Sequence, residues 1–403
     1  MLHALPLLRL FVPLDQENSG RLEAWARFIE YMIASIKLDN FTVFGSETIE
    51  FSDGMNLIAG ENGTGKSHLL KVAYAAFEAT WRTYRQASLL NTASTAISKA
   101  GDEASTAYSV SPSREALQKA LAEKLDGVFK PESIGRLCGK GRGRQSSTVS
   151  VFFKKSATPV TFSFATNSKS SVGLSTIPEE MESSGPVFIP TREVLTLYPE
   201  IISLIKRSTI QIDETYFDLA VDLAGPLSKG PRLKEVAEFV GPLEEAMKGK
   251  IRVEGSRFYL VSEGKGRMEM PLVAEGVRKL AMIAYLLLNG SLGSRSTIFW
   301  DEPETNLNPK LLKEVARSLV ALSEHGIQII AATHSHFFMK EVEIQRSRQK
   351  AGKDIRFINL FFGEDDHVYQ ESGAALSDLD HIAALDEILS QDDRDQALFY
   401  ETV

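Results

Sequence analysis

The chain has 403 residues, of which 43% are hydrophobic, and its formal net charge is −8 at pH 7. This size predicts two or three lobes with a large buried core, and the acidic balance argues against a protein that coats nucleic acid, though not against a local basic patch. The single cysteine, Cys138, excludes a disulfide framework and predicts a reducing, cytoplasmic setting. No apolar run reaches the roughly 18 residues that a membrane-spanning helix requires, so no membrane association is expected.

Residues 1–34 form an N-terminal extension that precedes the first clear strand pattern. Apolar side chains at helical spacing predict a short docking helix near its end. These side chains are Leu22, Trp25, Phe28, Ile29, Met32 and Ile33. The alternative is that Met32 is the natural start, because the first strand pattern begins at Ser35. A signal peptide is not expected, since the first apolar stretch lacks a basic start and contains two prolines.

Residues 57–70 carry the strongest motif of the chain. Gly60-Glu-Asn-Gly-Thr-Gly-Lys-Ser67 is a full match to the phosphate-binding P-loop, G-x-x-x-x-G-K-[ST]. An apolar run precedes it and a helical pattern follows it, which is the strand–loop–helix context that the motif requires. Because the glycines let N–H groups point into one concavity, and the helix N-terminus adds partial positive charge, this segment predicts a triphosphate site.

Within this loop we expect Lys66 to reach the β- and γ-phosphates of ATP and the Ser67 hydroxyl to bind Mg²⁺. The residues predicted to contact the nucleotide here are Gly60, Glu61, Asn62, Gly63, Thr64, Gly65, Lys66, Ser67 and His68.

Residues 35–86 and 148–190 are predicted to form the first part of the nucleotide-binding head. Strands are expected at 36–38, 41–51 with a break at Gly45, 55–59, 148–154, 159–164 and 186–190. The P-loop helix is expected to run from Ser67 to about Gln86.

Residues 87–147 interrupt the head with a Ser/Ala-rich insert, in which one helix is predicted at 114–125. A loop follows, Gly139-Lys-Gly-Arg-Gly-Arg-Gln-Ser-Ser147. Residues 82–148 contain 11 Lys/Arg and 6 Asp/Glu, a local charge of +5. A solvated connection is the plain interpretation, and contact with a DNA or RNA backbone is the alternative.

Residues 191–249 are predicted to form a helical lobe, with breaks at Gly225-Pro226 and Gly241-Pro242. Residues 250–362 are predicted to complete the head. This part begins with strands at 251–253 and 257–261 and continues through 272–280 into a long apolar helix that ends near Leu288.

The second catalytic block is Ser296-Thr-Ile-Phe-Trp-Asp-Glu-Pro303, an apolar strand that ends in two carboxylates, as in the Walker B pattern. Asp301 at the strand tip is predicted to hold Mg²⁺. Glu302, which strand alternation should turn to the other side, is predicted to act as the general base toward water. Such a strand is common by itself, but downstream of a P-loop it is specific.

Asn308 and Pro309 predict a helix start, as N-cap and first helical residue, and this helix should end before Gly326. The next strand, 327–332, leads to Thr333-His334-Ser335. We expect His334 beside the γ-phosphate, where a neutral imidazole would contact both the phosphate and the lytic water.

A last strand is predicted at 354–362, and residues 363–403 form an acidic tail. Between 364 and 403 there are 12 Asp/Glu and one Arg. Helical spacing of its apolar residues predicts a lid or a partner-docking helix. These residues are Leu376, Leu379, Ile382, Leu385, Ile388 and Leu389.

Four segments in this order resemble the heads of ABC-type ATPases: 60–67, 272–279, 301–309 and 333–335. The chain resembles the SMC/RecF-like branch, and within it the bacterial AAA-family ATPases related to overcoming-lysogenisation-defect (OLD) nucleases and to anti-phage defence systems. The likeness covers roughly residues 35–362. It implies an α/β fold, an ABC-type P-loop NTPase head with a mixed sheet, an antiparallel β lobe and a helical lobe.

The resemblance also implies a homodimer that sandwiches ATP and Mg²⁺. Residues 272–279 match the ABC signature, so Glu275 and Gly276 would cap the γ-phosphate bound by the other subunit. Residues 305–308 match the D-loop, His334 matches the switch histidine, and residues 40–44 match an early Phe-containing segment.

Three departures from the family pattern predict a weaker or slower dimer switch rather than loss of nucleotide binding. Ala274 stands where the signature serine is usual, and Thr42 stands where a basic residue is frequent. No glutamine marks a Q-loop after the strand at 187–189, where Thr191, Arg192 or Glu193 would substitute.

The spacing of the motifs excludes two relatives. About 80 residues lie between the expected Q-loop and the signature, too few for the long coiled-coil arms of SMC proteins. Some 40 residues follow the head, without a strand–acidic–strand pattern, so intrinsic nuclease activity is not expected.

Two functions are consistent with these residues. The first is an ATPase that dimerises around ATP–Mg and controls a separate effector, a nuclease, in anti-phage defence or DNA metabolism. The second is a slow-turnover, nucleotide-gated DNA- or RNA-binding module that uses the basic insert. An ABC transporter subunit is a weaker match, because its signature is more regular.

Overall fold

A computed structural model describes residues 32–98, 111–139, 141, 143–181, 184–198, 200, 201, 203, 212–228, 232–255, 257–264, 266–293, 295–348, 354–365 and 367–402. The predicted N-terminal docking helix and the question of a start at Met32 fall largely outside these ranges and stay predictions. Ile33, which was expected in that helix, instead begins the first strand. None of the helices in the described part combines the length and the apolarity that a bilayer crossing requires.

The strands, in chain order, are β1 Ile33–Phe41, β2 Phe44–Glu50, β3 Met55–Gly60, β4 Ser146–Phe153, β5 Val160–Ala165, β6 Gly173–Thr176, β7 Val187–Ile189, β8 Lys250–Glu254, β9 Arg257–Ser262, β10 Gly266–Glu269, β11 Thr297–Asp301, β12 Gln328–Ala332, β13 Ile355–Phe362 and β14 Val368–Gly373. The α-helices are α1 Lys66–Ser98, α2 Arg114–Phe129, α3 Glu214–Leu223, α4 Arg232–Met247, α5 Glu275–Asn289, α6 Pro309–Glu324, α7 His336–Ser347 and α8 Ala383–Thr402.

One half of the main sheet is parallel, in the order β13, β3, β12, β11, β7. Its strands are apolar and buried along almost their whole length, because helices cover both faces. The carboxyl ends of these strands therefore meet at one edge. The loops that follow β3, β11 and β12 leave the sheet side by side at this edge.

The other half of the sheet is an antiparallel wing, in the order β6, β5, β4, β1, β2, with β14 joining it to β13. Gln328, at the start of β12, connects the wing to the parallel half. Its amide accepts from the Ile33 N–H at 3.1 Å and donates to the carbonyls of Ile33 and Ser52 at 2.8 and 2.9 Å. The predicted antiparallel β lobe is thus confirmed.

Two cores form because successive strand residues point to opposite faces of the sheet. Ile298 and Trp300 of β11 pack toward α3, α4, α5 and α6, whereas Phe299 between them packs toward α1. The three-stranded sheet β10–β9–β8 joins the first core through Ile251, Phe258 and Leu260. Helices α4, α5 and α6 therefore pack on the sheet face opposite to the P-loop helix, whereas α3 also contacts that helix, through the hydrogen bond from the Tyr74 hydroxyl to Asp218.

Three helices continue past positions where an end had been expected. α2 ends at Phe129 rather than at residue 125. α1 continues to Ser98 rather than ending near Gln86, because no Gly or Pro interrupts the backbone ladder between these residues. A helix end had been expected at Gly241-Pro242, but Pro242 lies inside α4. The buried side chains of Val240 and Leu243 hold this helix against the core despite the missing proline N–H.

Three short strands were missing from the expected set. β6 and β10 lie at sheet edges and are largely exposed, so they show no apolar alternation that a sequence pattern can detect. β14 follows the strand that had been taken as the last one and forms a hairpin with it. Hydrogen bonding to a neighbour, rather than burial, defines these three strands.

A buried ion cluster joins α1, α2 and α3. The Lys124 ammonium lies 2.7 Å from Glu214 Oε1, 2.9 Å from Asp218 Oδ2 and 3.3 Å from Glu78 Oε2, and its side chain is 3% exposed. Burial opposes the charged form of Lys124, but these carboxylates outweigh burial and raise its pKa. The insert helix α2 is thereby fixed to the P-loop helix through charge rather than through apolar contact alone.

Replacing Lys124 by Met should lower the free energy of unfolding by about 3 kcal/mol, because Glu78 and Asp218 would remain buried with only the half-exposed Arg82 as a cation. Urea denaturation followed by circular dichroism measures this change. Lys119→Met on the same helix is the matched control, since Lys119 is 76% exposed and 3.7 Å from Glu123; it should change stability by about 0.5 kcal/mol or less. Equal effects of the two substitutions would contradict a structural role for the cluster.

Candidate functional site

The predicted P-loop joins β3 to α1 in the expected strand–loop–helix arrangement. Gly60, Gly63 and Gly65 have φ angles of 141°, 90° and 87°, which side-chain-bearing residues rarely adopt. A Cβ atom at Gly65 would also overlap the side chains of Val43 and Phe44. The early segment 40–44 therefore packs directly against the loop.

Lys66 is buried at the start of α1, and its ammonium donates hydrogen bonds to the carbonyl oxygens of Gly60 and Glu61, both at 2.7 Å. Burial lowers the pKa of Lys66 to about 8, and the nearby carboxylates of Asp301, Glu302 and Glu304 only partly offset this. The ammonium must exchange the two carbonyls for phosphate oxygens if it is to hold a nucleotide.

Ser67 and Asp301 come together although 234 residues separate them. The Ser67 hydroxyl donates to Asp301 Oδ1 at 3.0 Å, and Asp301 is 8% exposed at the tip of β11. Burial raises the pKa of Asp301, while the Ser67 hydroxyl lowers it. A hydroxyl and a carboxylate side by side are hard oxygen ligands of the kind that Mg²⁺ prefers, so this pair fits the metal that the sequence predicted.

Glu302 reaches the site by a route other than strand alternation. β11 ends at Asp301, and Glu302 has a φ of 52°, in the left-handed region. Its N–H donates to Ala332 O at 2.9 Å, which fixes this turn against the end of β12. The Thr305 hydroxyl donates to Glu302 Oε2 at 2.9 Å, so the carboxylate is held by its own loop.

His334 follows β12, and its Nε2 lies 3.6 Å from Glu302 Oε1. Burial and the nearby Lys66 charge lower the pKa of His334, and this outweighs the opposing effect of Glu302 and Glu304. The imidazole is therefore neutral at pH 7, as the sequence predicted. His336 is instead the first residue of α7.

Glu304 is a site residue for which the sequence predicted no role. Its Oε1 accepts hydrogen bonds from the His334 N–H at 2.7 Å and from the Thr333 hydroxyl at 2.8 Å. It thus ties the segment that carries the histidine to the segment that carries Glu302. The repeated carboxylate in Glu302-Pro-Glu304 was the available signal, but its partner lies 30 residues away.

The predicted signature segment forms the start of α5. Ala274 is the N-cap residue and provides no side-chain hydrogen bond, so the missing serine is not replaced at this position. Gly276 is buried, and a Cβ atom there would overlap the side chains of Leu307 and Leu311. Glu275 Oε1 and Oε2 accept from the Asn306 side chain at 3.1 and 3.0 Å.

Two charged residues of the same helix were also missed. Lys279 is 1% exposed, and its ammonium donates to the carbonyl oxygen of Thr305 at 2.8 Å. Arg278 Nε lies 2.8 Å from Glu193 Oε1, which connects α5 to the segment where a Q-loop was expected. Two cations inside an apolar helix were a signal for buried partners, although the partners themselves are distant in sequence.

The basic loop at 139–147 is described only in part. Arg144 is exposed, whereas Lys140 and Arg142 lie outside the described residues.

His68, on the first turn of α1, contacts the ring of Phe129 in an edge arrangement with centroids 5.7 Å apart. Partial desolvation lowers the pKa of His68, although the residue is exposed at the surface, and the charge of Lys71 lowers it further.

Two family models match the chain over different ranges. One is described as "AAA domain, putative AbiEii toxin, Type IV TA system" and matches residues 145–340. The other is described as an AAA domain and matches residues 35–127. The second range contains the P-loop, and the first contains the signature segment, the Walker B strand and His334.

A curated relative is the Old nuclease of Escherichia phage P2. It is 44% identical to this chain over 62 residues, which are 14% of this chain and 11% of the phage protein. The chain therefore matches only about a tenth of the length of this relative.

The chain is also similar to solved structures. The Smc head domain with an extended coiled coil, bound to the C-terminal domain of ScpA and derived from Pyrococcus furiosus, has a TM-score of 0.50 at 13% identity, covering 90% of this chain and 99% of that chain. The SMC head domain from Thermotoga maritima has a TM-score of 0.44 at 16% identity, covering 84% and 98%. The first likeness confirms the predicted α/β fold of an ABC-type head.

The pKa of Lys66 predicts a pH dependence of nucleotide binding. Only the protonated ammonium attracts phosphate, and a pKa of about 8 leaves about a tenth of it protonated at pH 9, against about nine tenths at pH 7. ATP affinity should therefore fall about tenfold from pH 7 to pH 9, with proton uptake on binding at pH 9.

Isothermal titration calorimetry in two buffers of different ionisation enthalpy measures both quantities. Lys66→Arg is the matched variant, because a guanidinium stays protonated over this range and should remove the pH dependence. An equal fall in affinity for both proteins would show that another group titrates.

Proposed function

We propose that the chain is an SMC/RecF-like P-loop ATPase, related to the Old nuclease, which binds ATP with Mg²⁺ and hydrolyses it to ADP and phosphate; the two AAA-domain matches and the shared fold support this proposal. One observation carries this proposal. The parallel register of β3, β12 and β11 brings Lys66, Ser67, Asp301, Glu302 and His334 to one edge of the sheet.

Nucleotide binding rests on the P-loop. Its backbone N–H groups and the N-terminus of α1 would receive the phosphates, and the Lys66 ammonium would turn from the Gly60 and Glu61 carbonyls to the β- and γ-phosphate oxygens. Ser67 and Asp301 would hold Mg²⁺, which neutralises charge on these oxygens when bound.

The carboxylate of Glu302 is the proposed general base. It accepts a proton from a water molecule while the water oxygen attacks the γ-phosphorus and the bond from this phosphorus to the ADP oxygen breaks. The Thr305 hydroxyl at 2.9 Å holds one carboxylate oxygen, and the neutral imidazole of His334 at 3.6 Å faces the other. Both contacts direct the base without adding charge to it.

We propose further that two copies close around two ATP molecules. Leu272, directly before the helix that carries the signature, is 72% exposed, and Ala274 is exposed and offers no side-chain cap to the first N–H groups of α5. The Val277 N–H donates to Ala274 O at 3.0 Å, so the preceding N–H groups, those of Glu275 and Gly276, are the ones proposed to receive a γ-phosphate held by a second copy. Glu275 and Gly276 would form the start of this contact.

The output of the switch is proposed to be control of a separate effector, a nuclease that acts in response to phage or foreign DNA. The relation to the Old nuclease supports this choice, although it extends over 62 residues only. Nuclease activity that co-purifies with the protein from its native host in the presence of ATP, and separates from it when ATP is removed, is the measurement that tests it.

Replacing Glu302 by Gln should leave ATP affinity within about threefold and lower turnover at least 100-fold, because the amide cannot accept the proton. Phosphate release measures turnover, and light scattering after gel filtration should show an ATP-dependent dimer that persists in this variant. Lys66→Ala should lose nucleotide binding altogether.

Glu123→Gln is the control for this pair, since this glutamate is exposed on α2. Persistent turnover in Glu302→Gln would refute the assignment of the general base, and an ATP-bound monomer would refute the dimer.

The second candidate function is a slow-turnover, nucleotide-gated DNA- or RNA-binding module. The unreplaced serine hydroxyl at Ala274 favours slow turnover, and the exposed Arg144 in a basic loop favours a phosphate contact. In this case ATP would hold the dimer closed around or beside the nucleic acid.

Under this alternative, affinity for double-stranded DNA should fall steeply with salt, because each phosphate contact releases counterions. Replacing Lys140, Arg142 and Arg144 by Gln should lower the slope of log affinity against log salt by about 2–3. Fluorescence anisotropy in the presence of ATP measures it, with Lys310→Gln on α6 as the control. An unchanged slope, together with DNA-independent phosphate release, would leave the ATPase switch as the only candidate of the two.

A further inference from the structure

The signature helix α5 is attached to the loop that follows the Walker B strand by a buried lysine. The Lys279 ammonium lies 2.8 Å from Thr305 O and 3.5 Å from both Glu302 O and Pro303 O. Lys279 is 1% exposed, so its ammonium is surrounded by the backbone carbonyls of a single turn instead of by water. A buried ammonium is costly unless such acceptors are held in place, so Lys279 and the turn constrain each other.

Two further contacts hold the same two elements together. Glu275, in the first turn of α5, accepts hydrogen bonds from the Asn306 side chain at 3.0 and 3.1 Å. Gly276 lets the helix approach Leu307 so closely that a Cβ atom would overlap it. The start of α5 and residues 302–307 therefore form one packed unit.

Thr305 connects this unit to the base. Its carbonyl accepts from Lys279, and its hydroxyl donates to Glu302 Oε2 at 2.9 Å. Its N–H also donates to Glu302 O at 3.2 Å, which closes the turn. A displacement of α5 would thus move Thr305, and Thr305 would move the carboxylate.

We propose that Lys279 and Thr305 are positioning residues that transmit the position of the signature helix to the carboxylate of Glu302 in the same subunit. This inference rests on the proposed function. Because the start of α5 would contact the ATP of the partner subunit, Glu302 at one site responds through these two residues to nucleotide at the other site. The loop at 305–308, matched to a segment that crosses the dimer interface, then also acts within its own subunit.

The Thr305 hydroxyl is tested by two variants of similar size. Thr305→Val removes the hydroxyl and should lower kcat about tenfold or more while the KM for ATP stays within about twofold, because the base is misplaced and the phosphate contacts remain. Thr305→Ser keeps the hydroxyl and should restore kcat to within about threefold of the wild type. Equal kcat values for the wild type and Thr305→Val would overturn the proposal.

Lys279→Met tests the other half of the relay. It should lower kcat about as much as Thr305→Val and bring the Hill coefficient for ATP toward 1, whereas the wild type should exceed 1. In the double variant the two losses should not multiply, since both substitutions interrupt the same connection. Multiplied losses, or a wild-type Hill coefficient of 1, would refute a relay between sites. If Lys279→Met fails to fold in a thermal melt, the Thr305 pair still decides the case.

Hydrogen–deuterium exchange provides a measurement that does not depend on turnover. Lys279→Met should speed exchange in peptides that cover 302–308, and Lys310→Met, an exposed position on α6, should not. A wild-type protein that binds ATP but releases no phosphate would refute the proposed hydrolysis while the exchange result still tests the attachment. Normal hydrolysis with unchanged exchange and unchanged kcat in the variants would refute the relay alone.

Discussion

The alignment of three parallel strands is the constraint on which the candidate site depends. β3, β12 and β11 are hydrogen-bonded neighbours in one register, so their carboxyl ends stop at the same edge. The P-loop, His334 and the Walker B carboxylates leave the sheet at this edge. Ser67 can therefore lie 3.0 Å from Asp301 across 234 residues of chain. Strands that slipped by one residue would turn every buried side chain to the wrong face, so the core that fixes the register also fixes the site.

The charges at this edge are balanced in a way that suits a polyanionic ligand. Lys66 is buried beside the carboxylates of Asp301, Glu302 and Glu304. These carboxylates raise the pKa of Lys66 and so partly offset the effect of burial. Burial is the main cause of the lowered pKa of His334, and the positive charge of Lys66 is the second cause. A neutral histidine can contact a phosphate without adding a second positive charge beside the lysine. Burial is thus the largest influence on the pKa values of Lys66, Asp301 and His334, and the neighbouring charges modify all three, which makes the site a single electrostatic unit.

The signature helix α5 reaches this unit through a small set of contacts. The start of α5 is fixed to residues 302–307 by Lys279, Glu275 and the close approach of Gly276. Arg278 on the same helix pairs with Glu193 after β7, so α5 also contacts the loop at the far edge of the parallel strands. In the proposed dimer the same helix would carry the contact to the partner's nucleotide. A helix with these attachments is suited to couple a subunit interface to a base.

The sequence alone determined the parts of this protein that depend on local chemistry. The P-loop follows from glycine spacing and from its strand–helix context, the tip position of Asp301 from an apolar run that ends in a carboxylate, and the start of α6 from Asn308 and Pro309, whose cap is present. Only the tertiary structure decided what depends on distant partners. It gave Glu302 the positive φ that directs its side chain into the site. It also placed Glu304 within hydrogen-bonding distance of Thr333 and His334, and it buried Lys279. The periodicity of apolar residues predicts which face of an element is buried. Whether a polar group can be buried depends on an acceptor for its hydrogen bond, which periodicity does not reveal. Here the acceptors lie 23 to 30 residues away, on another element.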